Sequence, residues 1–125
     1  MLALLLGGCT GSNITSVPNR DPSATFVATR DYEAVTGCIF NVLEFEGAGR
    51  FEHRIIHRPA QRVVYIRAHR NDWIGLAVAE RDIAYEVSVR AQPNGGSTVE
   101  VRSEGVVIND ETRPIVNAVA QRCLA

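Results

Sequence analysis

Phe51-Glu52-His53-Arg54-Ile55-Ile56-His57-Arg58 and Arg62-Val63-Val64-Tyr65-Ile66-Arg67-Ala68-His69, with Pro59-Ala60 as the turn between them, are the runs on which the architecture turns. Both alternate with a period of two, the pattern of half-buried strands, and a proline between them marks a turn. Pairing Arg58 with Gln61 sets Ile55 opposite Val64 and His53 opposite Ile66. One face of this hairpin then carries Phe51, Ile55, Val64, Ile66 and Ala68. The other carries Glu52, Arg54, Arg58, Tyr65 and Arg67, with Ile56 and Val63 among them.

Downstream the period of two returns. Ile83, Tyr85, Val87 and Val89 alternate with Ala84, Glu86, Ser88 and Arg90, and Val99 and Val101 alternate with Glu100 and Arg102. The intervening Pro93-Asn94-Gly95-Gly96 is turn chemistry. A three-residue loop, Asn94 to Gly96, with a glycine in the left-handed position sets Val89 opposite Val101 and Arg90 opposite Glu100. Asn71 to Glu80, with Trp73 and Gly75, reads either as a connection or as an early start of the third strand.

On both sides of these strands the period becomes 3.6. Val35, Cys38, Ile39, Val42 and Leu43 follow the spacing of an amphipathic helix from Asp31 to about Glu44, with Thr29 or Asp31 as its cap. Val116, Val119, Ala120 and Cys123 repeat it near the C-terminus, with Asn109 or Asp110 as a cap and Pro114 in the first turn, where its missing N–H does little harm. The expected fold is therefore α+β: helix, four-stranded antiparallel sheet, helix, with both helices on one face of the sheet.

With 125 residues, 46% of them hydrophobic, the chain has material for one core. The formal charge is -1, from 13 basic and 14 acidic residues. A sum so close to zero predicts no extended field that would attract nucleic acid or an anionic membrane surface.

Ahead of the domain, Met1 to Leu6 is almost wholly apolar, Gly7 and Gly8 are small, and Cys9 follows. Leu6-Gly7-Gly8-Cys9 resembles the lipobox of bacterial lipoproteins. The resemblance covers about nine residues and implies that residues 1–8 are a signal peptide and that Cys9 is lipidated and begins the mature chain. No Lys or Arg precedes the apolar run, which is shorter than a full leader core, as in a leader truncated at its start. Thr10 rather than aspartate follows Cys9, and by the same resemblance this points to the outer membrane, facing the periplasm.

Thr10 to Thr25 is rich in Gly, Pro, Ser and Asn, so residues 9–25 read as the lipidated cysteine and a flexible tether, and residues 26–125 as the domain. Asn13-Ile14-Thr15 fits a glycosylation sequon, which a bacterial lipoprotein would not use.

Cys38 and Cys123 each lie on the apolar stripe of one terminal helix. In an exported protein, two helices side by side would let them form a disulfide, a reading favoured over two separate buried thiols. The cysteines form no CxxC pairs and have no histidines at ligand spacing.

His53 and His57 share a strand face but stand about 13 Å apart, too far to hold one ion, so no metal or cofactor is expected. Arg54, Arg58, Arg67, Arg90 and Arg102 lie on the solvent face with Glu52, Glu86, Glu100 and Glu104, as cross-strand charge pairs would. Asp72, Glu80 and Asp82 have no nucleophile or second acid set beside them, and Gly95-Gly96 is a hairpin turn rather than a phosphate loop.

With no catalytic set, the expectation is a non-enzymatic envelope lipoprotein, either a structural component or a module that binds an envelope protein. The alternative is a periplasmic carrier of a small apolar or amphipathic ligand, with Trp73, Tyr32, Phe45 and Phe51 lining a cleft.

Overall fold

The computed structural model describes residues 17–70, 83–103, 110 and 112–124. Five strands form one antiparallel sheet: β1 (Ala24–Ala28), β2 (Phe51–Arg58), β3 (Val63–Arg70), β4 (Ile83–Ala91) and β5 (Ser97–Ser103), in the order β1-β5-β4-β3-β2. Helix α1 (Tyr32–Glu46) joins β1 at one edge to β2 at the other, and α2 (Arg113–Cys123) follows β5. The four-strand expectation is thus corrected to five.

The additional strand is Ala-Thr-Phe-Val-Ala, pairing Ala24 with Val101, Phe26 with Val99 and Ala28 with Ser97. Its alternation is carried by two alanines and one phenylalanine beside a Pro- and Ser-rich stretch, too weak a pattern to identify on its own. Residues 17–25, read from the sequence as tether, accordingly run along the sheet. Val17–Asn19 form a short 3-10 turn with Val17 buried. The Ser23 N–H donates to the Val101 carbonyl (2.7 Å), and Arg102 Nε donates to the Arg20 carbonyl (2.7 Å).

Both inner hairpins keep the expected faces but shift register by two. Arg58 pairs with Val63, Ile55 with Ile66 and His53 with Ala68, because Pro59–Gln61 make a 3-10 turn that Arg62 ends in the left-handed region (φ 53°). The turn is therefore four residues long. In the second hairpin Val89 pairs with Val99 and Arg90 with Thr98, and the three-residue loop is Pro93-Asn94-Gly95, with Gly95 at φ +96°. Moving a loop by one residue moves every pairing by two and leaves each side chain on its face.

Helix α1 begins where expected: Asp31 caps it, its carboxylate accepting from the Ala34 N–H (3.1 Å). Helix α2 starts at Thr112 rather than at Asn109 or Asp110, and Asp110 instead pairs its carboxylate with Arg113. At its other end the Arg30 guanidinium donates to the Cys123 carbonyl (3.1 Å), placing a cation where the helix leaves its last carbonyls open.

Val35, Ile39 and Leu43 of α1 and Ile115 and Val119 of α2 pack with Val64, Ile66, Val87, Val89, Val99 and Val101 on one sheet face to make the core. β4, the middle strand, is buried on both faces, so Glu86 (1% exposed) and Ser88 lie inside. Asn71 to Glu80, with Trp73, lies outside the described residues.

Candidate functional site

Cys38 and Cys123 are brought together by the helix pair. Their Cα atoms are 5.7 Å apart and their sulfurs at disulfide distance, across a separation of 85 residues. Cys123 is buried and Cys38 half-buried. Beside them Arg122 reaches Glu46 (3.6 Å) and lies over the Phe45 ring, so a covalent, an ionic and a cation–π contact join the two helices at one place. Cys9 lies outside the described residues, as do Asp72, Glu80, Asp82, Glu104 and the Asn13 sequon. Among the described residues no helix is long and apolar enough to cross a membrane.

The histidines part company. The His53 side chain is fully buried, with Nδ1 2.8 Å from Glu44 Oε2 and Nε2 2.6 Å from Tyr85 Oη. Because a carboxylate only accepts, Nδ1 donates to Glu44, and Nε2 shares the second hydrogen bond with the Tyr85 hydroxyl. This Glu–His–Tyr chain has the order of a catalytic relay. Tyr85, however, is 1% exposed and packs edge-on against Phe51, so the chain fastens α1 to the sheet. His57 meets the Tyr32 hydroxyl instead (3.3 Å). Among the described residues no three histidine, cysteine or acidic side chains gather to hold a metal.

The aromatic side chains expected to line a cleft do not converge on one. Tyr32 and Phe51 are core residues, Phe45 is 72% exposed on the outer side of α1, and Trp73 lies outside the described residues.

The face away from the helices carries the charges. Arg67 Nε donates to Glu86 Oε2 (2.8 Å), with the carboxylate almost wholly buried. Arg102 pairs with Glu100 (3.0 Å), and Arg54 with Glu52 (3.4 Å) at the surface. Of the three only Arg67–Glu86 is the cross-strand pair that charge placement predicts; Arg102–Glu100 and Arg54–Glu52 form along one strand, two residues apart.

Arg58 and Arg90 are different. They flank Val63 in one row of the sheet, both are exposed, and no carboxylate among the described residues pairs with either. Arg62, in the adjoining turn, lies over the Tyr32 ring of α1 (5.8 Å), and no carboxylate among the described residues pairs with it.

A signal for this end was present in the sequence. Residues 50–70 hold six arginines against the single acid Glu52, a local excess of +5 hidden within a total of -1. Counting charge over the whole chain cancelled it. All 13 basic residues are arginine, so every cation keeps its charge over any ordinary pH. No protein-family model matches the chain, and no curated protein matches it in sequence.

Proposed function

We propose that this chain is a cell-envelope lipoprotein, held through a lipid on Cys9 in the outer membrane facing the periplasm, whose domain is a non-enzymatic structural or protein-interaction module. The observation that carries the reading is the Cys38–Cys123 pair. A pair at disulfide distance between two helices suits an oxidising compartment, and the Leu6-Gly7-Gly8-Cys9 motif independently supplies a route there. The burial of His53 and Tyr85 supports a structural role for the Glu44–His53–Tyr85 chain, since no reacting group would reach the tyrosine.

The test is radiolabelled palmitate incorporation in a bacterial host, with membranes separated by density. The wild-type chain takes up label and sediments with the outer membrane, and Cys9→Ser does neither. Recovery of an unlabelled chain in the cytoplasm, with Cys38 and Cys123 as free thiols, would overturn the proposal.

A further inference from the structure

One row across the sheet face opposite the helices reads Arg58, Val63, Arg90, Thr98, Val27, each paired with the next. Arg58 and Arg90 stand two strand spacings apart, about 10 Å. Arg62 stands in the β2–β3 turn at the same end, with its guanidinium over the Tyr32 ring on the helix side, and Arg54, paired with Glu52, lies on the face of the row about 13 Å along β2. At the other edge of the row, two strands beyond Arg90, Val27 is 69% exposed, an apolar side chain presented to solvent on the same face. On this face the described acid closest in register is Glu100, diagonal to Arg90 on β5, and its carboxylate is held by Arg102 (3.0 Å).

The chain's N-terminal segment lies on this same face: Arg20 is bonded to Arg102, and Val17 is buried against β4 and β5. Cys9 is eight residues before Val17. A link of that length spans at most about 28 Å when fully extended, half of what a tether running to residue 25 would span. An anchor at Cys9 therefore keeps the sheet face on which Val17 packs close to the headgroups.

We propose that this end of the sheet face, Arg58 and Arg90 with Val27 at its far edge, docks on an anionic phospholipid surface. Arginine is suited to the task because its guanidinium binds phosphate oxygens in a bidentate fork and is weakly hydrated, while the exposed valine enters the interfacial layer. The orientation rests on the Cys9 anchor proposed above; the affinity for anionic lipid does not.

The test is sedimentation of the full-length, oxidised Cys9→Ser chain with vesicles of phosphatidylcholine alone or of an equal mixture with phosphatidylglycerol. Using the unlipidated chain separates this result from the palmitate experiment. The expected result is selective binding to the mixed vesicles, lost in molar salt, where the Debye length falls to about 3 Å. Arg58→Glu/Arg90→Glu lowers the partition by roughly 25-fold or more, about fivefold for each arginine lost. Arg58→Lys/Arg90→Lys keeps most of it.

Arg113→Glu/Arg122→Glu changes net charge equally from the helix layer and leaves most of the binding. Thermal unfolding of each variant checks that it is folded. Equal binding to both vesicle types, or an equal loss from the α2 pair, overturns the proposal. So does capture of soluble polyglutamate by a chain that ignores the mixed vesicles, a result that would assign the surface to an acidic protein.

Discussion

Glu86 is a carboxylate in the middle strand with 2% of its side chain exposed, and what makes that tolerable is the Arg67 guanidinium 2.8 Å away. Taking both charges from water costs several kcal/mol per ion, so the pair itself adds little to stability, yet removing one member leaves the other buried and uncompensated. Arg67→Leu is expected to lower the unfolding free energy by about 3 kcal/mol, and Arg67→Leu/Glu86→Leu to recover most of that loss. Urea denaturation of the two variants checks it, and equal losses would remove the buried-charge explanation. Alternation along β4 showed which face Glu86 takes. It did not show that this face is covered, because the covering 3-10 turn comes from residues 17–19.

At the scale of elements, β1 is held less by its own residues than by what it meets. Its end abuts the β4–β5 turn, where a Cβ added to Gly96 would stand 2.6 Å from the Ala28 carbonyl oxygen, closer than real Cβ atoms approach backbone. Gly96→Ala is expected to force the turn and β1 apart and to cost about 1 to 3 kcal/mol. Hydrogen exchange locates the effect: amides of residues 24–28 lose protection before those of β3 and β4. Uniform loss of protection would show that β1 and the inner strands open together. The helices and the strands β2 to β5 were legible because each carries a repeating pattern of large apolar residues. β1 was not, since Ala24, Phe26 and Ala28 give a faint alternation that matters only beside β5.

For the whole molecule, the Cys38–Cys123 link closes a loop containing most of the domain. In the chain-entropy model a loop of that length stabilises by roughly 4 to 5 kcal/mol, comparable with the total stability of many small domains. Cys38→Ala/Cys123→Ala, or reduction of the wild-type chain, is expected to lower the urea midpoint by a corresponding amount. A midpoint unmoved by reductant would mean that helix packing alone carries the link.

Sequence by itself determined the two helical stripes, the in-and-out assignment of four strands, the glycine chemistry of the second turn and the placement of Cys38 and Cys123 on facing stripes. Each of these depends on neighbours a few residues away, and side-chain parity survives even when a register moves by two. Tertiary structure decided the fifth strand, both registers, the sealing of His53 and Tyr85, and which arginines find a carboxylate. Those outcomes depend on segments far apart in the chain meeting. Arg67 and Arg102 are neutralised across and along strands, whereas Arg58, Arg62 and Arg90 collect at a sheet end where no described acid pairs with them.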